Sequence, residues 1–174
     1  MLTVYPTGRS RGILRFEEGE YPCALGRGGT RGAKREGDGA TPIGTFFLRQ
    51  AFYRPDRLAP PASGLSVRAL TRGDGWCDDP GHSEYNRLIR LPFGASHENL
   101  WRADNLYDVV VVVGHNDDPP EPGLGSAIFL HCATADFAPT EGCIVLARET
   151  LIGLLPRLTP DTALRVLAPE DQAP

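Results

Sequence analysis

The chain has 174 residues, with 41% hydrophobic residues, 23% charged residues and a formal net charge of −4, the make-up of one globular domain large enough to bury a core. With 18 Lys and Arg against 22 Asp and Glu, it lacks the basic surface that tracks phosphates, which excludes nucleic acid as the expected partner. The longest apolar run, Val109 to Val113, falls far short of the roughly 20 residues that span a bilayer as a helix, so no membrane span is expected.

The N-terminus, Met1 to Ser10, shows neither an apolar stretch of roughly 7–15 residues nor a small-residue cleavage site, so no secretory signal is read there. Leu2–Tyr5, Ile13–Phe16 and Tyr21–Leu25 read as short strands of a meander, divided by Gly12 and Glu18-Gly19. Gly26-Arg27-Gly28-Gly29-Thr30-Arg31-Gly32 is rich in glycine but lacks the Gly-Lys-Ser/Thr ending of a phosphate loop. It is expected to be a mobile surface loop, and the charges at Lys34, Arg35, Glu36 and Asp38 a solvated run, with a flap over a site as the other reading.

Thr45–Tyr53 reads as a strand, and Arg54–Ser63, with Pro55, Pro60 and Pro61, as a loop. Further strands are expected at Leu65–Leu70, Leu88–Leu91, Asp108–His115 and Ser126–Ala133, the last two central. Leu151, Leu154, Leu155 and Leu158 follow helical spacing, with Pro156 set to shorten the helix, and Thr162–Leu167 closes the chain as a strand. The expectation is a mainly β, single-domain sandwich or open barrel with one or two short helices over residues 1–168, and a frayed polar tail at 169–174.

Reactive residue types concentrate between positions 114 and 143: Gly114-His115-Asn116-Asp117-Asp118, His131-Cys132 and Thr140-Glu141-Gly142-Cys143. A rigid core strand that ends in a histidine can hold that side chain in place for catalysis. Cys143 follows a glycine, where the backbone can turn sharply and present both thiol and N–H. A neighbouring imidazole could activate the thiol, and His131 and His115 are both available. The plain alternative is a buried, inert cysteine. Four cysteines, Cys23, Cys77, Cys132 and Cys143, are too few for a disulfide scaffold and lack Cys-x-x-Cys pairing.

The run Ile128-Phe129-Leu130-His131, followed by Thr140-Glu141-Gly142-Cys143-Ile144-Val145-Leu146, resembles the catalytic segment of the L,D-transpeptidase (YkuD-like) family. Upstream, Asp38-Gly39-Ala40-Thr41-Pro42-Ile43-Gly44-Thr45-Phe46 is similar to that family's Thr-Pro-x-Gly-x-Phe strand entry. Three positions depart from the pattern: Glu141 replaces a second His, Cys132 a Gly, and Val145 an Arg or Asn. The interval from His131 to Cys143 is also shorter than the family's usual one.

The resemblance implies a cysteine-dependent acyl transfer on peptidoglycan. Cys143 attacks an L-to-D peptide bond of a stem peptide with His131 as base, and backbone N–H groups of Gly142 and Cys143 are the oxyanion donors. An acceptor stem amine then resolves the thioester, giving 3-3 or 1-3 cross-links. Water in that role would make a carboxypeptidase or endopeptidase. His115, Glu141, Thr140 and Tyr107 are pocket candidates, and no cofactor or metal is called for. The implied location is the periplasm or cell envelope, and the chain is expected to act as a monomer. Other classes stay open: a non-catalytic wall-binding module with an unreactive Cys143, or a zinc site using His115, His131 and a cysteine. A Cys23–Cys77 disulfide also stays open for an exported protein.

Overall fold

The computed structural model describes residues 1–169. In chain order the first strands are β1 (Leu2–Gly8), β2 (Arg11–Phe16), β3 (Gly19–Ala24), β4 (Thr30–Arg31), β5 (Thr41–Pro42), β6 (Gly44–Tyr53) and β7 (Ser66–Ala69). They are followed by β8 (Asp74–Cys77), β9 (Leu88–Arg90), β10 (His97–Asn99), β11 (Val109–Val113), β12 (Phe129–Cys132), β13 (Ile144–Leu146), the helix α1 (Arg148–Leu154) and β14 (Ala163–Val166).

The main sheet runs β11-β12-β13-β3-β2-β1-β14-β6, and a further β11–β6 pairing closes it into an eight-stranded barrel with β7 added on β6. The fold is therefore mainly β with one short helix, as its alternating patterns predict, but the barrel is closed rather than open. Closure follows from the ten-residue length of β6. Its first half, Gly44–Phe47, pairs with β14, and Ala51–Tyr53 pair with both β11 and β7. Closure removes free edges from the ring.

The five valines of β11 explain themselves through strand periodicity. Val109, Val111 and Val113 enter the barrel core, while Val110 and Val112 join a second apolar cluster with Trp76, Leu100, Tyr107, Phe129 and Cys143. A strand buried on both faces reads as a continuous apolar run instead of alternating. The second cluster lies where the small β10-β8-β9 sheet supplies Trp76 and its neighbours. Strands β8 and β10 are short and were not legible from the sequence.

Helix α1 buries Leu151 and Leu154, and Pro156 falls in the single 3-10 turn, Leu155–Arg157, that ends it. Of the predicted tail, residues 170–174 lie outside the described residues.

The glycine-rich loop is a packed element, which corrects the expectation of a mobile surface loop. Gly26 N–H donates to Thr41 Oγ1 (2.9 Å), Gly28 N–H to Gly39 O (2.8 Å) and Thr41 N–H to Gly29 O (2.8 Å). A Cβ at Gly26 would stand 2.3 Å from Gly39 O, so the two backbones approach as closely as only glycine permits.

Lys34 and Asp38 likewise form a buried pair at 2.6 Å, with side chains 5% and 10% exposed. That overturns the solvated reading for Lys34 and Asp38, while Arg35 stays exposed and Glu36 half-buried. Asp38 also accepts the Arg35 and Ala40 N–H groups, folding 34–40 into a compact turn.

Candidate active site

Strands β12 and β13 run parallel, with His131 opposite Val145 and Leu130 opposite Ile144. Alternation sends Leu130, Cys132, Ile144 and Leu146 into the barrel. Phe129, His131, Cys143 and Val145 then share the other face, and Cys143 and His131 line one cavity of about 420 Å³. Glu36 and Gly37 of the 34–40 turn, together with Asp78, Glu98, Arg102 and Tyr107, complete much of its wall.

Cys143 is 8% exposed. Its S–H donates to the Ala127 carbonyl (3.3 Å), and the sulfur accepts the Phe129 N–H (3.3 Å). Burial, reinforced by the negative charge of Glu98, holds the thiol well above its ordinary pKa, against the Phe129 N–H and the cations of Lys34 and Arg102. Cys143 therefore rests as a neutral thiol.

His131 is 4% exposed, and its Nδ1 lies 3.0 Å from the Cys132 carbonyl. A carbonyl only accepts, so Nδ1 carries the hydrogen and Nε2 is the basic nitrogen. Burial pushes the imidazole down to about 4, with Arg102 adding to it and the carbonyls of Cys132 and Leu106 opposing. Among the described residues, neither hydrogen bond of the Cys143 sulfur involves His131. The pair shares a cavity as two neutral groups, and the S–H must swing off Ala127 to reach the imidazole.

Thr140 shapes the turn before the cysteine. Its hydroxyl donates to Cys143 O (2.7 Å) and accepts the Gly142 N–H (3.1 Å). The Gly142 N–H is thus engaged within the turn and would have to leave Thr140 to serve as an oxyanion donor. The Cys143 N–H has no partner among the described residues and remains the candidate. Gly142 sits at φ 138°, where a Cβ would be 2.9 Å from Ala40 O, so the packed 38–41 backbone supports the turn from beneath.

Tyr107 is buried, its ring edge-on to His131 at 4.9 Å, with its hydroxyl donating to Glu98. Glu141 is an exposed rim residue paired with Arg27 at 2.7 Å. His115 does not join the site: its Nε2 meets Leu124 O (2.9 Å) and its ring packs on Phe46. The strand ends at Val113, two residues earlier than the run to His115 suggested, and His115 does not line the cavity.

Sequence reasoning missed Asp78, Glu98 and Arg102. They stand in or beside the small sheet, whose strands β8 and β10, of four and three residues, are too short to carry a periodic signal. Among the described residues no group of three or more His, Cys, Asp or Glu is arranged to hold a metal, which removes support for a zinc site. All four cysteines are free, Cys23 and Cys77 included.

The family model of the L,D-transpeptidase (YkuD) catalytic domain matches residues 1–166. Neither the curated proteins nor the solved structures compared with the chain gave a match. The histidine-bearing strand and the Gly-Cys turn meet at one cavity, within a match that takes in nearly every described residue, and the chain belongs to the L,D-transpeptidase catalytic-domain family.

Proposed function

We propose that the chain is a peptidoglycan L,D-transpeptidase of the cell envelope, working through Cys143 and His131. The observation that carries this reading is the convergence of the two side chains from adjacent parallel strands on one cavity. His131 Nε2 takes the thiol proton as the sulfur attacks the carbonyl carbon of an L-to-D bond in a stem peptide. The carbonyl electrons move to oxygen, which the Cys143 N–H stabilises. On collapse the C–N bond breaks, and the imidazolium returns its proton to the departing amine, leaving a thioester on Cys143.

An acceptor stem amine then attacks the thioester, His131 again carries the proton, and the C–S bond breaks to release the cross-linked product and the thiol. The carboxylates of Glu36, Asp78 and Glu98 line the same cavity, which suits an amine-bearing acceptor better than a neutral one. Water as acceptor would give hydrolysis by the same steps.

The test is mass spectrometry of purified disaccharide-tetrapeptide incubated with the protein and with Cys143→Ala. Dimers formed only by the unaltered protein establish transpeptidation, and their fragments assign 3-3 or 1-3 linkage. Shortened monomers without dimers make it a hydrolase. Neither product across a range of stem substrates would refute the enzyme reading.

A further inference from the structure

Asn86 lies outside the cavity wall, 6% exposed, and uses its whole side-chain amide. Oδ1 accepts the Trp76 indole N–H (2.9 Å) and the Ala127 N–H (3.0 Å), while Nδ2 donates to the carbonyls of His115 (3.0 Å) and Asn116 (2.6 Å). That exhausts the two acceptor sites and two donors of an asparagine. Both Asn86 (φ 55°) and Ala127 (φ 51°) are left-handed. Asparagine tolerates that conformation, but an alanine there persists only where its surroundings hold it. Two hydrogen bonds hold Ala127: its N–H is fixed by Asn86, and its carbonyl receives the Cys143 S–H.

We propose that Asn86 is a positioning residue for the nucleophile, fixing the Ala127 carbonyl as the resting dock of the Cys143 S–H, so that the thiol waits protonated and apart from His131. This rests on the reading of Cys143 as nucleophile. A carbonyl acceptor stabilises the S–H and repels a thiolate, so the dock suppresses spontaneous thiolate formation. Transfer to His131 begins once the S–H leaves Ala127. The other groups facing the sulfur are Glu98, Tyr107, Lys34 and Arg102, with His131 in the same cavity. Substitution at Asn86 changes none of them.

The test is Asn86→Gly, which keeps the left-handed backbone at no steric cost and deletes only the amide. Iodoacetamide labelling, followed by peptide mass mapping across pH, reads each cysteine separately. The expected result is a fall of about one pH unit in the Cys143 labelling midpoint, with several-fold faster labelling at neutral pH. Cys23 and Cys132, both buried and free, should stay within about twofold of the unaltered protein, since they sit outside this network, whereas Cys77, whose carbonyl accepts the Asn86 N–H at 2.9 Å, is not a control. An unchanged Cys143 midpoint, or a parallel rise at Cys23 and Cys132, would overturn the proposal.

Should the variant lose its fold, the unaltered protein still decides. Its Cys143 S–H stretch, isolated by infrared difference against Cys143→Ser, should lie at a hydrogen-bonded frequency. A band at the free-thiol position, or none, would overturn it. Neither readout needs turnover, so failure of the muropeptide assay alone would strike the functional reading and leave the dock standing.

Discussion

The Tyr107 ring meets the His131 imidazole edge-on, 4.9 Å between centroids, while its hydroxyl donates to Glu98. One side chain thus braces the base and satisfies a carboxylate. Burial holds Glu98 above the ordinary carboxylate range, and the Tyr107 hydroxyl and Arg102 oppose that rise. Tyr107→Phe keeps the brace and removes the donor. It should cost about 1–3 kcal/mol in urea unfolding, push Glu98 further up, and lower turnover by less than about tenfold. Tyr107→Ala removes the brace as well, and turnover should fall much further.

The buried, neutral His131 makes stability depend on pH. Its folded value of about 4 lies below the ordinary 6.5, so the unfolded chain binds more protons across that window. The contribution is full above about pH 6.5 and is lost as pH falls toward 4, amounting to roughly 3 kcal/mol. His131→Asn should flatten this dependence in denaturant unfolding at stepped pH. A residual slope should remain from His115, which burial also lowers. In the active protein the same shift places the acid limb of kcat/KM near pH 4 rather than 6.5.

Lys34 and Asp38 are both nearly inaccessible. Burial alone would raise the Asp38 carboxyl, but Lys34 and the Ala40 and Arg35 N–H groups hold it below the ordinary range. Removing the cation strands that carboxylate. Lys34→Met should destabilise the fold by about 3–5 kcal/mol, visible as a lower urea midpoint and faster proteolysis within 34–40.

Two glycines of one loop should behave oppositely. Gly26→Ala forces a methyl against the Gly39 carbonyl and should cost about 1–3 kcal/mol or more while loosening the backbone beneath Gly142. Gly32→Ala meets nothing within 4 Å at an exposed position and should stay within about 0.5 kcal/mol. Thermal melts of the two variants check the contrast.

What the sequence shows and hides follows from periodicity. The valines of β11 and the Phe129–Cys132 strand announce a core, and the helical leucines with Pro156 announce a short helix. Cys143 and His131 were legible as reactive types near strand ends, and their shared face follows once β12 and β13 are known to pair in parallel. Of the small β10-β8-β9 sheet only β9 was legible, within the run Leu88–Leu91; β8 and β10, of four and three residues, form no pattern, so Glu98 and Arg102 stayed hidden with them. The packed glycine loop and the buried Lys34–Asp38 pair look like surface in one dimension. Only long-range pairing, such as Gly26 against Thr140, turns them inward. Asn86 gives no local signal, since its partners lie 10 to 41 residues away.

Formation of a thioester between Cys143 and a stem peptide is read by intact-protein mass spectrometry after rapid acid quench from disaccharide-tetrapeptide. The expected result is an added acyl mass mapped to the Cys143 peptide, removed by an amine acceptor and absent from Cys143→Ala. Turnover without an adduct at Cys143, or an adduct on another residue, would contradict it.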